Sequence, residues 1–250
     1  MATSASANTR SNGSDRDALD HRDWVEHTRV FLQPIAAPSI LGLFGFAGAT
    51  FMVSAYLAGW YGDPKTPQIL FPFAATFGGL AQFLAGMWAY RARDGLATAM
   101  HGMWGAFWIA WGVLQLLGAT GTLHLPASGA FTPFGYWFLV LAVITGFGTI
   151  AALGENLSIT SVLAALTVGS ALLAVHYLVG GLGWQHTAGW VLLASSFLAA
   201  YTAGAMMIAG AWGRTVLPLG EYRKAANVPG GRPMRALEYE LGEPGVRQGQ

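Results

Sequence analysis

Of the six histidines in this chain, His101 and His176 alone fall inside long apolar stretches; His21 and His27 belong to a polar N-terminal segment and His124 and His186 to connecting loops. Two such histidines on facing helices would suit axial ligation of a haem, but the plainer reading of each is a packed or solvated side chain. The sequence contains no HExxH, no serine-centred nucleophile elbow and no paired carboxylates within an apolar stretch, which argues against an enzyme. Zero cysteine excludes disulfides, thiolate metal sites and a cysteine nucleophile. Glu155 sits in a Gly154-Glu155-Asn156 turn, where a carboxylate is expected to be solvated rather than catalytic. No cofactor or metal is expected.

The apolar stretches do carry hydroxyls and amides, among them Thr50, Ser54, Tyr56, Gln82, Ser170 and Tyr177. Gln82 is the most telling, because a primary amide in hydrocarbon is costly unless bonded. Ser54, Tyr56 and Gln82 are the candidates for the polar lining of a path. Such groups bind a small polar solute weakly enough to release it, which conduction requires, whereas fixed charge would hold an ion too tightly. Prolines supply positive potential without charge. Pro34 and Pro38 precede the first stretch and Pro72 opens the second, and unpaired N–H groups at helix starts favour anions. Pro38 and Ser39 are therefore a candidate anion site. If transport is linked to protons, His101 is the candidate carrier, since imidazole titrates nearest neutrality.

The elements that must position these residues follow from charge. From Val30 to Gly213 there are six formal charges, Asp63, Lys65, Arg91, Arg93, Asp94 and Glu155, in a chain that is 10 % charged overall. A soluble domain carries about 25 %. The solvent of this region is lipid, and about 20 apolar residues cross a bilayer as a helix. Six spans are expected, at 39–60, 68–90, 96–118, 134–153, 158–181 and 187–212, with Gly183-Trp184-Gln185-His186 as a tight turn before the sixth. The apolar runs do not alternate with period two, so a β-barrel is not expected. Residues 1–33 and 222–250 read as disordered tails flanking a transmembrane domain at 34–221. Residues 1–29 lack the apolar core of a signal peptide. Arg91, Arg93, Arg214, Arg223 and Lys224 fall on one side and only Lys65 on the other, so the positive-inside rule places both termini in the cytoplasm of an integral, multi-pass protein of the plasma or inner membrane. A net charge of +1 argues against nucleic acid as a partner. Trp60, Tyr61, Tyr90, Trp184 and Trp212 mark span ends, as interfacial aromatics do. Glycines within spans permit close helix packing.

Several stretches resemble a known family, the acetate uptake transporters (succinate–acetate permeases). They are Ala37-Pro38-Ser39-Ile40-Leu41-Gly42-Leu43-Phe44-Gly45-Phe46, then Gly78 to Trp88 (GGLAQFLAGMW), Gly105-Ala106-Phe107-Trp108, His186-Thr187-Ala188-Gly189-Trp190, and Gly213 to Glu221 (GRTVLPLGE). The resemblance implies a six-helix bundle, commonly a homo-hexamer with one pore per protomer, that passes acetate and, in some members, succinate or other short carboxylates, proton-coupled or channel-like. It also implies a hydrophobic constriction from spans one, three and five, which falls on Phe46, Trp104 and Leu166. Trp104 stands where the family has Tyr, Ala37 where it has Asn, Ile40 where it has a second Pro, and Ala89 where it has an acid. These departures mark a divergent member and motivate one alternative, a non-conducting membrane sensor or adaptor that retains the fold.

Overall fold

A computed structural model describes residues 35–124 and 131–222. The expected N-terminal tail and, beyond Tyr222, the C-terminal tail lie outside the described residues. Among the described residues, six helices are long and apolar enough to cross a membrane: α1 (Pro38–Leu57), α2 (Thr66–Ala92), α3 (Gly95–Ala119), α4 (Thr132–Ala152), α5 (Leu157–Val179) and α6 (Leu182–Trp212). The protein is an all-α, six-span membrane bundle. Side chains such as Phe73, Trp88, Phe147, Ile150 and Val179 are more than half exposed around the outside, where lipid rather than water is the natural neighbour. Trp60, Tyr61, Tyr90, Trp184 and Trp212 are all exposed at or just beyond helix ends.

The helices form a closed ring in chain order, each packing on the next and α6 returning to α1. α1 also approaches α3. Among the described residues no Cα of α5 comes within 8 Å of α1 or α3. The ring therefore keeps an axial space between α5 and the α1/α3 pair that side chains must fill or leave open. Elsewhere glycine brings backbones together. A Cβ at Gly86 would stand 2.6 Å from the Gly102 nitrogen across the α2/α3 contact.

Local chemistry explains the ends. α1 has Pro38 in its first turn and no side-chain cap at Ala37. Asp94 caps α3 by accepting from the Ala97 N–H at 2.8 Å, and Asn156 caps α5 by accepting from Ile159 N–H at 2.9 Å. The segment after α6 folds back on the start of α5: the Leu157 and Ser158 N–H groups donate to the Gly220 and Leu219 carbonyls at 2.8 and 3.0 Å. Two of the N–H groups a helix start leaves unpaired are thus satisfied by chain from outside the bundle.

One expectation is corrected. Gly183 to His186 is not the turn before the sixth span but its first helical turn; the reversal is made by Gly180 and Gly181, with φ of +85° and +101°. Glycine reaches that region without the steric cost a Cβ imposes. The second span is not a plain α-helix. It carries a π-helical stretch over Ala74–Ala81, which begins two residues after Pro72; the missing proline N–H leaves the Gln68 carbonyl without its α-helical partner. The Thr76 hydroxyl donates back to the Pro72 carbonyl at 2.7 Å.

Candidate functional site

α1, α3 and α5 all run the same way, from the end of the bundle that carries the chain termini of the described region toward the end bearing the α1–α2 loop. Residues four apart on them therefore repeat one turn higher on the same face. Phe46, Trp104 and Leu166 belong to one buried cluster, with 3 %, 3 % and 2 % of their surface exposed, and their places along the three parallel helices put them at a similar level. The Phe46 and Trp104 rings meet edge to face at a centroid distance of 6.3 Å. The Trp104 indole N–H donates to Thr145 Oγ1 of α4 at 3.1 Å.

A wide cavity of about 580 Å³ extends from this level to the loop end, where Pro64, Gln68, Phe131 and Gln185 stand at its mouth. Trp104 and Leu166 form part of its floor. Among the described residues that line it there is no Asp, Glu, Lys or Arg. On the other side of the level lies a narrow cavity of about 50 Å³, lined by Leu43, Met100, Val162 and Leu163 and, toward the termini, by Ser39, Asp94, His101 and Glu155. Leu43, Met100 and Leu163 lie three or four residues before Phe46, Trp104 and Leu166, one turn down each helix.

One turn up are Thr50, Trp108 and Ser170. All three line the wide cavity and all are buried. Thr50 Oγ1, Trp108 Nε1 and Ser170 Oγ have no hydrogen-bond partner in the protein. Buried polar atoms are almost always paired, so three orphans on one level of one cavity point to a guest that pairs with them. An indole offers only a donor, and hydroxyls donate when the guest is an acceptor. The set fits an oxyanion.

The other residues named from sequence divide. Ser54 and Tyr56 line the wide cavity. Pro38 and Ser39 begin α1, and Ser39 borders the narrow cavity together with His101. Gln82 is set apart: it is buried against Gly45 at the α1/α2 contact, its Oε1 lacks a partner, and it lines neither cavity. His101 and His176 lie in different cavities. His176 Nδ1 is 3.1 Å from the Gly181 carbonyl oxygen, which fixes the proton on that nitrogen. Trp108 was not singled out as a polar group from sequence, although its spacing of four from Trp104 places it on the same face.

Two cavities within a six-span bundle, one on each side of Phe46, Trp104 and Leu166, the wide one without Asp, Glu, Lys or Arg among its described lining residues, define a membrane transporter or channel. Residues 25–218 match the GPR1/FUN34/yaaH family, and the chain belongs to it. It is 29 % identical over 188 residues to the succinate-acetate/proton symporter SatP of Escherichia coli strain K12, covering 75 % of this chain and 96 % of that protein. It is 28 % identical over 185 residues to the acetate transporter protein patA of Aspergillus clavatus, covering 70 % and 74 %. Its fold matches the solved structure of the bacterial acetate channel SatP with a TM-score of 0.68 at 29 % identity, over 74 % of this chain and 99 % of that one. These are transport proteins rather than enzymes.

Proposed function

We propose that this protein carries acetate or a similar small carboxylate across the plasma or inner membrane, through a path inside each protomer. The path runs from the wide cavity, past Phe46, Trp104 and Leu166, into the narrow one. The observation that carries the reading is the ring of Thr50 Oγ1, Trp108 Nε1 and Ser170 Oγ, unpartnered one turn from the apolar level. A carboxylate with a pKa near that of Glu, about 4.3, is ionised at neutral pH and crosses hydrocarbon at high cost. Three neutral donors replace part of its water without the tight hold of a fixed cation. The relatives' names, succinate-acetate/proton symporter and acetate channel, support the same solute class.

The apolar level acts as the constriction and the selectivity filter, a pinch that passes solute when it hydrates. The wide cavity faces outward and both termini are cytoplasmic, since Arg91, Arg93 and Arg214 gather at the narrow-cavity end. Pro38 and Ser39 favour the anion at the inner exit, and His101 beside them links the flux to protons. The protomers assemble as a homo-hexamer. The test is uptake of labelled acetate into proteoliposomes. Flux above empty vesicles, reduced at least fivefold in Ser170→Ala, is expected. Flux no greater than that of empty vesicles would favour the sensor or adaptor reading.

A further inference from the structure

The wide cavity is far larger than acetate requires. Its volume of about 580 Å³ lies within the roughly 300–1,000 Å³ of pockets that hold drug-sized ligands. Its walls are also strongly aromatic. Trp104 meets Phe107 at 5.3 Å, Phe107 meets Trp108 at 5.1 Å and Phe138 at 5.5 Å, and Phe138 stacks on Tyr177 at 5.7 Å and 12°. This band of rings, contributed by α3, α4 and α5, climbs the cavity from the floor toward the mouth. Acetate has one methyl group to set against it.

The two features occupy one chamber with a fixed relation. The oxyanion donors are at the bottom, 3 %, 4 % and 0 % exposed for Thr50, Trp108 and Ser170. The aromatic band rises above them. Trp104 and Leu166 lie at the floor, Phe46 packs edge to face on Trp104 behind it, and Trp104 is held to α4 by its bond to Thr145. A ligand with a carboxylate at one end and an aryl ring at the other satisfies both. Its carboxylate takes the three orphaned donors, and its ring packs edge to face or offset against Phe138 and its neighbours, the geometry aromatic pairs prefer. The ring is then too broad for a floor that is itself built of rings.

We propose that the wide cavity is a binding site for arylalkanoic acids, which lodge there and block the path instead of traversing it. The proposal rests on the carboxylate reading of the donor ring and adds to it a second subsite, the aromatic band.

The experiment is inhibition of labelled acetate uptake in proteoliposomes by unlabelled phenylacetate, propionate and 2-phenylethanol at neutral pH, with labelled phenylacetate uptake measured alongside. Phenylacetate is expected to inhibit at a concentration at least tenfold lower than propionate, 2-phenylethanol not to inhibit, and phenylacetate not to enter faster than into empty vesicles. Phe138→Leu keeps bulk and removes the ring; it should bring the phenylacetate-to-propionate ratio within threefold of unity. If that variant fails to fold, Phe134→Leu serves in its place, and the wild-type series stands without either. Equal potency of phenylacetate and propionate would overturn the aryl subsite while leaving the donor ring intact. Protein-dependent entry of phenylacetate would overturn the block. Absence of inhibition by either acid, with acetate uptake intact, would remove the carboxylate reading beneath both.

Discussion

Trp104 and Thr145 are joined by a buried hydrogen bond of 3.1 Å that spans α3 and α4, helices with few other contacts between them. Thr145 is fully buried, so its hydroxyl has no water to turn to, and the indole N–H has no other acceptor. Thr145→Val keeps the shape and removes the acceptor. A buried donor left unsatisfied costs about 1–3 kcal/mol, part of which the indole can recover only by leaving its place. The expected result is a lower melting temperature in detergent and a rise of at least threefold in uptake of butyrate relative to acetate. An unchanged ratio would mean that the indole position does not set the aperture.

Trp104→Ala tests the same level more severely. Removing the indole deletes the edge-to-face partner of Phe46 at 6.3 Å and of Phe107 at 5.3 Å and joins the wide and narrow cavities. Uptake should extend to larger carboxylates such as hexanoate, and discrimination among chain lengths two to six should fall at least fivefold. Competition against labelled acetate by that series reads the change. A selectivity order like the wild type would place the filter elsewhere.

Glycines with and without a neighbour give a paired stability prediction. A Cβ at Gly86 would lie 2.6 Å from the Gly102 nitrogen and 2.9 Å from its Cα, backbone atoms that a rotamer change cannot clear. Gly204, inside α6, has nothing within 4 Å of the same position. Gly86→Ala should therefore part α2 from α3 and cost about 1–3 kcal/mol, the usual range for overpacking. Gly204→Ala should cost nothing, since alanine is the better helix former by about 1 kcal/mol. Thermal unfolding followed by light scattering in detergent should rank them in that order.

The bundle was legible because charge is so unevenly placed: six formal charges across Val30 to Gly213 leave lipid as the only solvent, and breaks at Gly-Asp-Pro and Arg-Asp-Gly divide the rest. The donor ring was legible only in part. Thr50 and Ser170 are two hydroxyls among many, and in a helix most such groups bond back to their own backbone, as Thr167 does to the Leu163 carbonyl at 2.8 Å. Which ones do not depends on what faces them. Gln82 shows the reverse case. Its amide drew attention because hydrocarbon penalises it, yet it stands at a helix–helix contact away from both cavities. The sixth span started five residues early for a related reason: Gly183 reads as a breaker, but Gly180 and Gly181 already supply the positive φ values the reversal needs.

His101 carries the remaining prediction. It lies on α3 three residues before Trp104, buried beside Gly42, where a Cβ would stand 2.5 Å from its Nδ1. The groups bordering the same cavity are Ser39 of α1, Asp94 at the start of α3 and Glu155 between α4 and α5. A proton moving with the carboxylate needs a site on the inner side of the constriction that can gain and lose it, and an imidazole is a side chain that can do so. Acetate uptake, corrected for diffusion into empty vesicles, is expected to rise as external pH falls from about 7.5 to about 5.5. His101→Asn keeps a polar group of similar reach and removes the ring that could carry a proton, so its corrected uptake should vary by less than twofold over the same interval. Gly42→Ala, which crowds the ring without altering its chemistry, should lower the rate and keep the pH dependence. If His101→Asn retains the full slope, the proton travels by another route or as the undissociated acid.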